Sequence, residues 1–454
     1  MWLWWTKEAL DIERKQLIEE GRDIRMLEAE FERLEREGAP SGAEFQKAVN
    51  ELLDKGQTLP ISPGYRYVEP SDLKGIQEER GKKFCKVKIP RTKEGRYNRI
   101  HRAWLGRCAG CLLGKPFEGT LRPRMVKFLN NLGLKEISNY PWLLPGSTDE
   151  IAEGLNSWFG NTLPAYRGTT IFPGDDDTNY TVMCAAMVKQ YGIGFTSDNM
   201  ADFLMNNVPL LRTCTAERVA YRNLANQIVP PESASVRNPY REYIGAQIRA
   251  DFFGYVAMGN PRLAAELAWR DARISHVKNG IYGAMWVAAM IAAAPGVTNA
   301  RKLIKIGLNE VPKRSRFFER LTEVLDRYDE GATYFEMLEF IHKCWDEKFS
   351  YSWTHVIANA QIVAVALLYS EGDFEKAITR AVGMCLDTDC NGATVGSIMG
   401  MMLGDKPLPE KWTSLMNDTI HTDVAGYDLV KISDLAKEMF EIHAKHFMKG
   451  KKDI

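Results

Sequence analysis

The sequence predicts an all-α protein whose main body is compact and many-helixed. Three observations carry that expectation. Apolar residues recur at helical spacing along most of the chain. The Val/Ile/Thr alternation that marks strands is almost absent. From residue 98 onward the texture turns to runs rich in Ala, Gly and Met. The chain has 454 residues, of which 45% are hydrophobic and 26% charged. That is apolar enough to exclude wholesale disorder and long enough to bury a large core. No repeat of fixed period is visible.

Residues 7–56 are highly charged with helical spacing. Leu10, Ile12, Leu17, Ile18, Ile24, Leu27, Phe31 and Leu34 form one apolar series. A Gly/Pro/Ser break at 38–42 interrupts it, and Phe45, Val49, Leu52 and Leu53 resume it. This reads as a helical hairpin or short coiled element that packs on the main body, with a dimerisation or partner-binding arm as the alternative. Residues 57–97 carry Pro60, Pro63, Gly64, Pro70, Gly75 and Gly81 and read as an irregular connector. The expected organisation is therefore an extension and connector over 1–97 and an all-α domain over 98–450. Helices are expected at 100–113, 178–191, 261–272, 282–294, 334–344, 355–369, 374–384 and 391–403. A short polar tail over 449–454 closes the chain.

Charge and apolar runs narrow the function classes. Lys+Arg and Asp+Glu both number 59, so the formal charge is zero. A neutral chain gives no electrostatic footprint for wrapping nucleic acid, and none is expected as a partner. The longest apolar run, 284–294, is far below the roughly 18–20 residues of a membrane span. The apolar opening at 1–5 is too short for a signal-peptide core. Eight cysteines are sparse for this length and do not form a disulfide framework. An intracellular, cytoplasmic protein is the expectation from these features.

Three segments could carry chemistry. PGDDDT at 173–178 opens an apolar helical run with three adjacent carboxylates. Helix capping accounts for one of them, or two. A hard cation such as Mg²⁺ would account for all three. LDTDCNGATVGSIMG at 386–400 places Asp387 and Asp389 before another helix, in which Gly392, Gly396 and Gly400 recur every four residues and Gly404 follows at the same spacing. Each interior glycine costs about 0.8–1 kcal/mol against alanine, so the stripe needs close approach of another backbone. Two aspartate clusters, each opening a buried helix, suit a two-metal site. GRCAGCLLGKPFE at 106–118 repeats the four-residue glycine spacing at Gly106, Gly110 and Gly114 and ends at Glu118.

In this order the three segments resemble the ADP-ribosylglycohydrolases. That family carries G-x-x-x-G-D-x-x-G-x-x-x-E, then T-D-D-T, then D-T-D-T-x-x-x-x-x-G. The resemblance covers about 98–430. It implies an all-α fold with two Mg²⁺ ions, or Mn²⁺, in a central cleft. It places metal ligands at Asp175, Asp176, Asp177, Asp387 and Asp389, with position 390 completing the second set. It places the catalytic roles on Glu118, Asp176 and Asp177, which would orient or deprotonate a water. The sequence departs from the pattern at Cys111 for Asp, Asp175 for Thr, and Cys390 for a ligating Thr. A thiolate is a poor Mg²⁺ ligand, and Asn391 is the alternative oxygen donor.

Further candidates for the cleft are Arg249, Asp251, His276, Trp353, His355 and Asn359. Arg249 and Asp251 either pair with each other or contact substrate phosphate and ribose. Trp353, His355 and Asn359 begin an Ala-rich helix and either stack on a base or sugar or fill core. His276 either lines the cleft or ends a helix. His443 and His446 fall in a basic stretch and read as solvated. The expected activity is metal-dependent hydrolysis of a ribosyl N- or O-glycosidic bond, releasing ADP-ribose from a modified protein or small ribosyl substrate. The alternatives are a hydrolase of small nucleosides, nucleotides or other N-glycosides on the same fold, an inactive ligand-binding homologue, and a generic two-metal phosphohydrolase.

Overall fold

The computed structural model describes residues 4–37, 42–83, 85–152, 155, 166–404 and 406–448. The break at 38–41 and the tail at 449–454 lie outside the described residues, as do the first three residues of the apolar opening.

The extension is three helices: α1 (Lys7–Glu19), α2 (Glu28–Glu37) and α3 (Ala43–Thr58). Thr6 caps α1 by accepting from the Ala9 amide. The apolar series read from the sequence closes its own small core of Leu10, Leu17, Phe31, Leu34, Val49 and Leu52. This trio is clamped to the body by buried ion pairs. Arg241 donates to Glu13 at 2.6 Å and to Glu20 at 2.8 Å. The connector is more ordered than its Pro and Gly content suggests. It contains α4 (Leu73–Glu79), capped by Asp72, and Glu69, which holds Arg316 at 2.8 Å.

The body is helical. Among the described residues the strands are two, β1 (Thr419–His421) and β2 (Leu429–Lys431), paired antiparallel with Ile420 opposite Val430. The long helix α5 (Lys93–Gly114) starts earlier than its sequence pattern, at a Thr92 cap, and is buried over its C-terminal half. Helices α6 (Asp176–Tyr191), α7 (Ser197–Asn207) and α8 (Pro261–Ala272) come later in the chain, and α8 and Tyr334–Cys344 form as expected. Three helices are apolar all round and therefore central. They are α9 (Lys278–Ala293), α10 (Val356–Leu368) and α11 (Thr388–Met402), each buried along nearly its whole length.

The two glycine stripes pack against each other. A Cβ on Gly106, Gly110 or Gly114 would overlap backbone atoms of Gly396, Gly392 and Thr388 respectively, and a Cβ on Gly392 or Gly396 would overlap the carbonyls of Gly110 and Gly106. The helix-interior glycine cost is thus offset by backbone contact between α5 and α11. The Thr388 hydroxyl adds a 2.8 Å bond to the Gly114 carbonyl. This contact fixes the ends of both helices side by side, and those ends carry the second and third motifs.

His443 corrects the expectation of a solvated histidine. It is buried, on the helix Ile432–Phe447, with Nδ1 2.8 Å from the Val256 carbonyl and Nε2 3.1 Å from Arg96. The helix carries an apolar face whose burial takes His443 with it. All eight cysteines are free thiols. No helix among the described residues is long and apolar enough to cross a membrane.

Candidate metal and active site

The PGDDDT segment is presented by a helix start. Asp175 is the N-cap of the helix Asp176–Tyr191, and its side chain accepts from the Asp177 amide at 2.9 Å. The strand-like approach to that cap is fixed by Phe172, whose amide donates to the Thr419 carbonyl at 2.8 Å. One aspartate therefore does cap the helix. The Asp176 and Asp177 side chains take no part in that cap, and Asp175 also belongs to the cluster below.

The N-terminal ends of this helix and of α11 converge on the C-terminal end of α5. One donor atom each from Cys111, Asp175 and Asp177 falls within a mutual 4.8 Å. A second set, Asp177, Asp389 and Cys390, meets the same limit. Asp177 belongs to both. Asp177 Oδ2 and Asp389 Oδ1 are buried and have no hydrogen-bond partner. Orphaned buried carboxylate oxygens carry a desolvation cost that a bound cation would remove. The residues present therefore fit a divalent cation.

The electrostatics agree with the geometry. Burial, then the Asp175 and Asp389 charges, push Asp176 up to about 8. Burial and the Asp175 charge hold Asp177 well above the usual carboxylate range. Burial and the Asp389 and Glu118 charges do the same to Asp387. Asp389 is pushed up to about 6 by burial and then by Asp175. Glu118, half-buried at the rim, is raised well above its ordinary value by burial and then by Asp389. Asp175 is the exception. Burial works against its charge, but its ion pair with the buried Lys115 ammonium outweighs that and lowers it.

Sequence reasoning missed two cations. Lys115 lies inside the 106–118 segment and sits on Asp175; its position directly after Gly114 was the available signal. Arg107 is fully buried. Its Nε donates to the Asp177 carbonyl at 3.0 Å, Nη1 to Asp251 at 2.8 Å and Nη2 to the Ile248 carbonyl at 2.6 Å. It fixes the backbone of the residue shared by both clusters.

The remaining candidates divide into two groups. Arg249 and Asp251 do not pair with each other. Arg249 donates to Asp271 at 2.9 Å, to Glu217 at 2.5 Å and to the Ser275 hydroxyl at 3.1 Å. Asp251 is held by Arg107. His276 is buried, with Nδ1 2.8 Å from Ser275 Oγ. His355 caps α10 by accepting from the Ile357 amide at 3.2 Å, and its Nε2 lies 3.6 Å from Glu242. These four are enclosed in protein. Trp353 and Asn359 lie nearer the carboxylates. Trp353 donates to the Leu386 carbonyl at 2.9 Å, one residue before Asp387. Asn359 Oδ1 accepts from Asn391 at 2.8 Å and from the Asp387 amide at 3.3 Å. A cleft of about 240 Å³ opens here, lined by Gly119, Thr120, Lys348, Ser350, Trp353 and Leu386 among others. Two of its wall residues, Gly119 and Leu386, directly adjoin Glu118 and Asp387 in the chain.

Two acidic helix starts meet the C-terminal end of α5 beside a cleft and form a buried carboxylate centre. The comparisons give the family. The sequence model of the ADP-ribosylglycohydrolases matches residues 92–445, and the chain belongs to that family. It is accordingly a hydrolase of the glycosidase type, with ADP-ribose-type compounds as its substrate class. A solved structure titled as an ADP-ribosylglycohydrolase-related protein complex is similar to this chain. It is 19% identical, with 77% of this chain and 99% of that chain covered and a TM-score of 0.48. No curated protein matches the chain.

Proposed function

We propose that this protein is a metal-dependent glycohydrolase that cleaves a ribosyl N- or O-glycosidic bond and releases ADP-ribose from a modified substrate. The observation that supports this most is the pair of buried ligand sets sharing Asp177. Asp175, Asp177 and Asp389 would hold the cations, with Asp176 and Asp387 completing the shell. Two bound divalent ions, Mg²⁺ or Mn²⁺ in the family expectation, would supply charge neutralisation and Lewis-acid polarisation.

The chain's own residues do the rest. Glu118 lies at the rim, where burial and the Asp389 charge favour its protonated form. It can exchange a proton with the attacking water, and Asp176 can orient that water. The surrounding carboxylates stabilise positive charge that develops at the ribose C1″ in an oxocarbenium-like transition state. Trp353 offers a stacking face in the cleft, and the exposed Lys348 offers a cation for a phosphate. Arg249, Asp251, His276 and His355 are buried and brace the walls through bonds from Arg249 to Asp271 and Glu217, from Arg107 to Asp251, between Ser275 and His276, and from the Ile357 amide to His355, while Asp251 Oδ1, His276 Nε2 and His355 Nε2 make no hydrogen bond. Asn359 positions Asp387.

The test is a panel of mono-ADP-ribosylated proteins, ADP-ribosyl-arginine, ADP-ribosyl-serine and free nucleosides, incubated with and without divalent cation and followed by mass. Metal-dependent release of ADP-ribose supports the proposal and names the linkage. Cleavage of free ribosides alone would move the substrate to a small nucleoside. Silence across the panel would refute it.

A further inference from the structure

Two of the departures from the family pattern introduce cysteine, and they fall on different subsites. Cys111 Sγ stands with oxygens of Asp175 and Asp177, and Cys390 Sγ stands with oxygens of Asp177 and Asp389. Each subsite thus presents two carboxylates and one thiol, and in the first the Lys115 ammonium is also paired with Asp175. Both thiols are buried. The thiols hydrogen-bond Asp175 and Asp387, but Asp177 Oδ2 and Asp389 Oδ1 have no partner, which is the second sign that the cluster awaits a ligand.

The donor set discriminates among cations. Mg²⁺ takes oxygen ligands and keeps several waters. Sulfur adds nothing to its binding. Zn²⁺, Co²⁺ and Fe²⁺ accept mixed sulfur and oxygen sets, and softer ligands favour them. A serine or threonine would have placed an oxygen at either position with little change in volume.

We propose that Cys111 and Cys390 are metal ligands and that the paired subsites select a borderline transition cation over Mg²⁺. This rests on the metal-dependent reading above and specifies the class of cation. The two cysteines then act as the specificity-determining residues of the centre.

The experiment uses the full chain, stripped of metal by chelation and dialysis. Co²⁺ is added in steps while the near-ultraviolet absorbance is followed, and Co²⁺ and Mg²⁺ affinities are measured by calorimetry. The wild type should develop a sulfur-to-cobalt charge-transfer band. Cys111→Ser and Cys390→Thr should each lose part of it and the double variant all of it. Co²⁺ affinity should fall on the order of 10–100-fold in the variants while Mg²⁺ affinity holds or rises. Co²⁺ bound without the band would overturn the inference and leave the metal-dependent reading standing. Failure of every divalent cation to bind would overturn both. The wild-type spectrum decides the matter even if a variant fails to fold.

Discussion

Replacing Gly110 with alanine sets two effects against each other. In an unconstrained helix the change would stabilise by about 0.8–1 kcal/mol through lower backbone entropy in the unfolded chain. Here the new methyl would run into the Gly392 carbonyl and the Ala393 amide of α11. Both are backbone, so no rotamer change relieves the overlap. Overpacking of this kind costs about 1–3 kcal/mol, and the rigid obstacle places it at the upper end. The net expectation is a loss of roughly 1–2 kcal/mol. The displacement has a second consequence. Gly110 precedes Cys111, and Gly392 lies one turn from Asp389, so parting the helices pulls the two ligand sets apart. A misplacement of about 1 Å costs on the order of a hundredfold in rate. Chemical denaturation and a turnover assay measure the two effects. Gly194→Ala, where nothing lies within 4 Å of the added Cβ, is the control and should stay within about 0.5 kcal/mol of wild type. A Gly110→Ala protein as stable and active as wild type would refute the packing argument.

Four further outcomes are expected. Asp389 has a folded pKa raised from 3.8 to about 6, so stability present below its unfolded value is lost as pH rises through 6. Asp389→Asn should therefore stabilise the metal-free protein by roughly 3 kcal/mol at pH 7 while abolishing turnover, read by thermal melts and product mass. Glu242 behaves oppositely. Burial opposes its charge, but Arg316 holds it down to about 2, so it contributes roughly 3 kcal/mol above pH 4.5 that is lost as pH falls toward 2. Acid titration of the fold should show that loss, and Arg316→Ala, which strands Glu69 and Glu242, should cost about 3–5 kcal/mol at neutral pH. Trp353→Ala should raise KM by about tenfold with a smaller effect on kcat, in line with about 1–3 kcal/mol for a base stacked on an aromatic ring. A chain beginning at residue 92 retains the whole family-matched segment but leaves Arg241 without Glu13 and Glu20. It should be recovered aggregated or melt well below the full chain; an equally stable fragment would show the extension to be dispensable.

The parts of this structure that follow local rules were legible in the sequence. Glycines at a spacing of four called for a backbone partner, and the two stripes proved to be each other's partner. Aspartates directly before apolar helices pointed to helix ends that gather charge. What escaped was tertiary pairing. Arg249 and Asp251 are close in sequence, yet their partners are Glu217 and Asp271 for one and Arg107 for the other, and nothing local encodes that choice. The connector hid α4 because about two turns of helix leave little periodicity in a stretch rich in Pro and Gly. His443 looked solvated because its neighbours in sequence are basic, whereas burial is decided by which face of its helix it occupies. Lys115 was visible but unassigned, since a lysine acquires meaning only beside Asp175.

The most direct measurement of the central claim is single-turnover hydrolysis of a mono-ADP-ribosylated substrate in ¹⁸O-labelled water, with metal-loaded and chelated enzyme compared side by side. The account predicts ADP-ribose carrying one ¹⁸O at the ribose C1″, formed only by the loaded enzyme and lost in Asp177→Asn. Label in a phosphate group would show phosphoester or pyrophosphate cleavage instead, and label at C1″ with the chelated enzyme would show that these carboxylates do not work through a metal.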